Sequence, residues 1–162
     1  MTNLYQTNTQ VIITRIFDAP RELVFKAWTD PSYITRWWGP KSFTAPFCKI
    51  DLRTGGSYLY CMKSPEGQDF WSTGIFRELV VPERIVYTDR FADEKGTPVP
   101  ASYYGMEGDW PEELLVTVVF EDLGKKTKLT LVHTGFPPGR MKELAAMGWN
   151  ESLDKFAESF SQ

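Results

Sequence analysis

The stretch from Pro138 to Phe160 carries the one long helical periodicity in the chain. Advancing by about 100° per residue from Met141, the residues Met141, Ala145, Gly148, Trp149, Ser152, Leu153, Phe156 and Phe160 fall on one face. Glu143, Asn150, Glu151, Asp154 and Glu158 fall on the other. A helix with such a face buries it against another element. Everything before it, from about Val11, reads as short strands, short helices and turns, so the partner is a sheet. Gly148 and Ser152 stand in the middle of the buried face, where a tight core would use leucine. That leaves room beneath the helix, and room there is where a small molecule fits.

The order of the preceding segments defines that sheet. Val11 to Phe17 is rich in β-branched residues and reads as a first strand. Asp18 and Pro20 signal a helix start, followed by the apolar positions Leu23, Val24, Ala27 and Trp28. Asp30-Pro31 repeats the signal, with Asp30 as N-cap and Pro31 at the first helical position. Ile34, Trp37 and Trp38 form the apolar side of this second short helix, and Gly39-Pro40 ends it. Strands are then expected over Phe47 to Leu52, Ser57 to Met62, Phe70 to Leu79, Arg84 to Phe91, Leu114 to Glu121 and Lys128 to Phe136. Turns at Thr54-Gly55-Gly56, Pro65-Glu66-Gly67, Val81-Pro82-Glu83 and Leu123-Gly124-Lys125 separate most of them. Consecutive hairpins imply an antiparallel sheet, and without strand–helix alternation a parallel Rossmann-type sheet does not fit. The expected fold is α+β: a curved antiparallel sheet of about six to seven strands wrapped around the long C-terminal helix, with two short helices after the first strand.

Residues 92–113 break this rhythm. Gly96, Pro98, Pro100, Gly105, Gly108 and Pro111 oppose regular structure, while Tyr103, Tyr104, Met106 and Trp110 are residues that pack. A loop this long is functional or disordered. It reads either as a surface loop with its own apolar cluster or as a cover across a pocket mouth. With no repeat and no linker, 162 residues make one domain, 11–162, preceded by a polar extension, 1–10.

A net charge of −3 with both signs intermixed gives no basic footprint for nucleic acid and no polybasic membrane surface. No apolar run approaches the ~18 residues of a membrane span. Cys48 and Cys61, without a secretory signal, read as reduced thiols of a cytoplasmic protein.

Several local motifs, in order, carry a resemblance to a known family. They are Phe17-Asp18-Ala19-Pro20, Val24 to Pro31, Trp37-Trp38-Gly39-Pro40, Asp51 to Gly56, Gly74-Ile75-Phe76, Pro82 to Thr88, Thr117 to Glu121, Thr127 to Leu131, and Gly148-Trp149 with Leu153. In these the chain resembles the AHSA-type family of the SRPBCC (START-like) superfamily, relatives of the C-terminal domain of the activator of the ninety-kilodalton heat-shock chaperone's ATPase. The resemblance spans Val11 to Phe160. It implies a helix-grip fold with a hydrophobic cavity between sheet and C-terminal helix, whose ligands differ among members. It supplies no shared catalytic motif. The chaperone-activating members are multidomain, and this chain lacks their separate N-terminal domain, so chaperone stimulation does not follow.

His133 is the only histidine, which excludes HExxH and other two-histidine metal centres. Alternation puts it on the face of Leu129 and Leu131, as a buried, hydrogen-bonded histidine or as a polar group of the pocket. Glu78 and Asp89 share strand faces with Phe76 and Tyr87 and read as paired or solvent-facing carboxylates. Neither a phosphate-binding glycine motif nor a nucleophile elbow occurs.

The expected function is the binding of a small hydrophobic or aromatic ligand, with Trp38, Phe76, Tyr87, Phe120, His133, Gly148, Trp149 and Ser152 as its site. No catalytic residue, metal or cofactor is assigned. The alternatives are a cyclase or hydrolase type of enzyme using His133 as acid/base, and a chaperone-interacting protein by family analogy. A homodimer is a further partner reading.

Overall fold

The computed structural model describes residues 9–160. The extension assigned to residues 1–10 therefore lies outside the described residues, apart from Thr9 and Gln10. The elements are β1 (Gln10–Phe17), α1 (Arg21–Thr29), α2 (Pro31–Trp37), β2 (Thr44–Ile50), β3 (Ser57–Lys63), β4 (Asp69–Val80), β5 (Arg84–Ala92), a 3-10 turn (Ala101–Tyr104), β6 (Leu114–Asp122), β7 (Thr127–Thr134) and α3 (Arg140–Glu158).

The strands form one seven-stranded sheet in the order β1-β7-β6-β5-β4-β3-β2. Every neighbouring pair is antiparallel. Hairpins connect β2 through β5 and β6 to β7, so most of the sheet is sequential; the first strand returns to pair with the last. The sheet curls, and its concave face holds the helices, which is the helix-grip arrangement of an α+β domain. Alternation is clean where both faces differ: β7 reads buried at Thr127, Leu129, Leu131 and His133, and half-buried between them.

Two local signals played out differently. Asp30 caps α2 as its sequence predicts, with Oδ1 accepting from the Ser32 N–H at 2.9 Å and Pro31 beginning the helix. Asp18 does not cap α1. The N-cap is Pro20, which offers no side-chain acceptor. Its carbonyl takes the Leu23 and Val24 N–H groups instead, and Asp18 stands two residues too early to reach the orphan donors.

The core lies at one end of the concave face. Phe17, Trp28, Trp37, Phe120 and Phe156 are each at most 3% exposed, and they meet mostly edge to face, as the ring quadrupoles favour. Trp37 places its indole N–H on the Ala27 carbonyl at 3.0 Å, tying α2 to α1.

α3 divides into two halves. From Ser152 onward it is anchored, with Ser152, Leu153 and Phe156 buried. Lys155 Nζ donates to the Pro40 and Phe43 carbonyls at 3.0 and 3.2 Å, and Arg15 pairs with Asp154 at 2.8 Å. From Arg140 to Glu151 no residue is buried, and Leu144 and Met147 are 44% and 58% exposed. The helix is seated at its C-terminal half and stands off the sheet at its N-terminal half.

Candidate functional site

The space under the free half of α3 is a cavity of about 550 Å³. Its floor is the concave face of the sheet: Tyr58 and Met62 from β3, Ser72 from β4, Tyr87, Asp89 and Phe91 from β5, Leu114 and Val116 from β6, and His133 from β7. Its roof is α3 from Met141 to Ser152, and one end is closed by Trp38 to Phe43. Met106 and Trp110 close the other end from the long loop.

That loop is built rather than slack. Ala92 bridges Pro98, and the 3-10 turn carries Tyr104, whose hydroxyl accepts from the Trp71 N–H at 3.0 Å and donates to the Ala92 carbonyl. Trp110 then lies edge-on to both Phe91 and Phe136, at 5.4 and 5.8 Å.

Of the eight site residues expected from sequence, Trp38, Tyr87, His133, Gly148, Trp149 and Ser152 line this cavity. Phe76 and Phe120 do not. Phe120 is covered by α1, with Phe25 at 5.3 Å and Trp28 at 6.3 Å. Phe76 is held between Tyr58 and Tyr87, at 5.8 and 5.9 Å. Both are inward-facing, as alternation requires, but they lie in the filled part of the concave face.

The two residues that suggested the cavity contribute differently. A Cβ on Gly148 would meet only Pro40 Cγ, at 3.5 Å, so Gly148 faces open space and does not serve close helix–sheet packing. Ser152 is a tether. Its Oγ donates to the Gly39 carbonyl at 2.8 Å and marks the end of the cavity where α3 closes on the α2–β2 connection. The tandem tryptophans split: Trp37 is fully buried in the core, and Trp38 packs on Tyr60 at 4.7 Å and Trp149 at 5.5 Å along the cavity wall.

The polar side of the cavity is a chain of three residues. Trp149, stacked on Trp28 at 5.9 Å and 12°, donates its indole N–H to His133 Nδ1 at 2.9 Å. Indole N–H is a donor only, so Nδ1 must keep its lone pair, and the imidazole is the neutral tautomer protonated on Nε2. Nε2 in turn lies 3.0 Å from Asp89 Oδ2, off the line of a hydrogen bond. His133 is 6% exposed; its Nδ1 is occupied by the Trp149 N–H, while its buried Nε2 makes no hydrogen bond.

Around Asp89 stand three buried phenols. Burial pushes Tyr58 well above the ordinary tyrosine range, with the charge of Asp89 adding to it. Tyr60 is raised by burial, then by Tyr87, Cys48 and Asp89. Tyr87 is raised by burial and by Asp89. All three are therefore neutral hydroxyls at physiological pH. Tyr58 Oη donates to the Thr88 carbonyl at 2.7 Å. The Trp28 indole approaches the Tyr87 hydroxyl without hydrogen-bond alignment, leaving that hydroxyl unpaired.

Asp89 is the residue that sequence reasoning underweighted. Alternation already put it on the face of Tyr87; only the structure shows that this stretch of the face borders a cavity rather than core. Glu78, by contrast, follows a bulge after Phe76 and pairs with Arg84 at 3.1 Å in half-exposed surroundings. Among the described residues no cluster of histidine, cysteine and carboxylate side chains is arranged to hold a metal ion. No helix among them is long and apolar enough to cross a membrane.

Solved structures of the same architecture exist. Protein CV1439 from Chromobacterium violaceum is 30% identical, with a TM-score of 0.75 over 93% of this chain and 95% of that one. A protein from Arthrobacter aurescens is 28% identical, with a TM-score of 0.76 over 93% and 85% of the two chains. The AHSA1 protein from Silicibacter pomeroyi, at 23% identity and a TM-score of 0.74 over 94% and 97%, shares the fold. No curated protein matches the chain. The profile of the family described as "Activator of Hsp90 ATPase homolog 1-like protein" matches residues 18–161. With that match over most of its length, on a seven-stranded sheet gripping a C-terminal helix, the chain belongs to the family of Activator of Hsp90 ATPase homolog 1-like proteins.

Proposed function

We propose that this protein is a ligand-binding domain that takes a small hydrophobic or aromatic molecule into the space between its sheet and the N-terminal half of α3. The observation that carries the reading is the cavity itself, about 550 Å³ with mostly aromatic and aliphatic walls. That volume lies within the range of small-molecule sites, which are apolar with a few placed polar groups. The polar groups of the lining include Asp89, His133, Tyr87, Arg90 and Glu151. Trp38, Trp149, Gly148 and Ser152 belong to the same binding site in this reading. The enzymatic alternative is less well supported, because a general base needs a free lone pair and Nδ1 of His133 is occupied by the Trp149 N–H. The free thiols of Cys48 and Cys61 support a reducing compartment such as the cytoplasm.

Fluorescence titration with an uncharged solvatochromic dye tests the reading, comparing the wild type with Gly148→Leu. A leucine at 148 projects into the open space and should abolish the dye signal while circular dichroism stays native. Undiminished dye binding by the folded Gly148→Leu variant would place the ligand elsewhere.

A further inference from the structure

The cavity is apolar and aromatic, yet a carboxylate opens onto it. Asp89 sits at the centre of the floor, between Tyr87 and Phe91 on β5, and its side chain keeps 26% of its surface accessible. A carboxylate against an apolar wall requires a partner, because desolvation without one is costly. No lysine or arginine among the described residues makes an ion pair with it. The only ion-pair contact of Asp89 among the described residues is His133. The Trp149 N–H on Nδ1 requires that imidazole to be neutral. Tyr58 Oη lies 3.5 Å from Asp89 Oδ1 but is committed to the Thr88 carbonyl at 2.7 Å. Arg90, next in the strand, also lines the cavity, with its Nε buried and without a hydrogen-bond partner, but it makes no ion pair with Asp89 among the described residues. The second carboxylate of the lining, Glu151, adds negative charge at the roof.

The walls around Asp89 suit a cation as well. Trp38, Phe91, Trp110, Phe136 and Trp149 all line the cavity, and the negative faces of such rings attract an ammonium or a guanidinium. A carboxylate with no ion pair to a lysine or arginine, inside an aromatic enclosure, suits the ammonium of an organic amine.

We propose that the physiological ligand is an apolar, aromatic-bodied molecule carrying a protonated amine, with its ammonium on Asp89 and its body among the tryptophans. This deepens the ligand-binding reading and rests on it. His133 and Trp149 act as positioning residues: the indole fixes the imidazole tautomer, and the imidazole flanks the carboxylate without neutralising it.

Three probes with one body and different heads test the proposal by isothermal titration at neutral pH: naphthylethylamine, naphthylethanol and naphthylacetate. A charge-assisted hydrogen bond in an apolar site predicts that the amine binds roughly ten- to hundredfold tighter than the alcohol, and that the carboxylate binds worst. Asp89→Asn should remove the preference, weakening the amine toward the alcohol. Equal or tighter binding of the alcohol or the carboxylate by the wild type would overturn the amine assignment while leaving the cavity as a binding site. A preference that persists in folded Asp89→Asn would overturn the role of Asp89. If none of the three binds, both the amine assignment and the ligand-binding reading fall. Should Asp89→Asn not fold, the comparison of heads on the wild type decides the proposal alone.

Discussion

The indole N–H of Trp149 donates to Nδ1 of His133 at 2.9 Å, which joins the roof of the cavity to its floor. One hydrogen bond thereby fixes both the height of α3 above β7 and the tautomer of the imidazole. Trp149→Phe keeps a ring over Trp28 but deletes the donor. The imidazole should then no longer be held in one tautomer, detectable as a change in histidine nitrogen chemical shifts. Leaving a buried acceptor unpaired should cost about 1–3 kcal/mol of stability. Unchanged histidine shifts in the folded variant would show that the bond does not set the tautomer.

How much of this site was legible beforehand depends on which kind of information each residue carries. Period-2 alternation is local, so the inward faces of Tyr87, Asp89 and His133 were readable from single strands. Whether an inward residue borders cavity or core is not local. Phe120 and Tyr87 look alike in sequence, but Phe25 and Trp28 cover Phe120, and that depends on where α1 lands. Ser152 is a similar case. On the helix pattern it reads as slack, and its acceptor, the Gly39 carbonyl, lies 113 residues away in the chain. The family resemblance implied the helix-grip and a cavity beneath its helix, and its motifs are turns, caps and core aromatics. It conveyed nothing of the Trp149–His133–Asp89 chain.

Core and cavity aromatics should separate in mutagenesis. Phe156 is fully buried among Phe17, Trp28 and Trp37, so Phe156→Ala should cost about 3–5 kcal/mol and lower the melting temperature by roughly 10 °C. Trp38 already borders empty space, so Trp38→Ala should cost markedly less while weakening dye binding. Equal losses of melting temperature in calorimetry would mean that Trp38 is structural.

Gly74 is required by a close approach. A Cβ there would collide with the Thr88 carbonyl oxygen and stand 2.8 Å from Tyr58 Cε2. Tyr58 crosses over Gly74 to reach that same carbonyl. Gly74→Ala must push β4 away from β5 or displace the tyrosine, and overpacking of this kind costs about 1–3 kcal/mol or more. Chemical denaturation should show that loss, and a neutral result would require the β4–β5 ladder to open without penalty.

The cap on α2 links stability to acid. The Ser32 side-chain and backbone bonds hold Asp30 below its ordinary value of 3.8. A group with a depressed folded value binds its proton more readily when unfolded. Its contribution is therefore present above about pH 3.8 and is lost as pH falls through the folded value. Asp30→Ala should cost about 1 kcal/mol at neutral pH, and the gap between variant and wild type should narrow below pH 4. A gap that persists undiminished in acid denaturation curves would show that the hydroxyl and amide of Ser32 are not what Asp30 contributes.

At the alkaline end the sign reverses. Burial pushes the Cys48 thiol up to about 12, with Asp30 adding to it, and burial with Asp69 pushes Cys61 up to about 11. Between the ordinary thiol value of 9.0 and these folded values, the native chain retains protons that the unfolded chain has released. Stability is thus full below about pH 9 and falls as pH rises toward the folded values. The buried phenols Tyr58, Tyr60 and Tyr87 extend the decline beyond pH 10 in the same direction. Two measurements check this. At pH 8 the native protein should react with a thiol reagent far more slowly than the denatured protein, since only the thiolate attacks. Urea midpoints should then fall from pH 9 to pH 11, and the fall should shrink in a Cys48→Ala variant. A thiol that reacts at the denatured rate in the folded protein would mean that Cys48 or Cys61 is not held protonated by its burial.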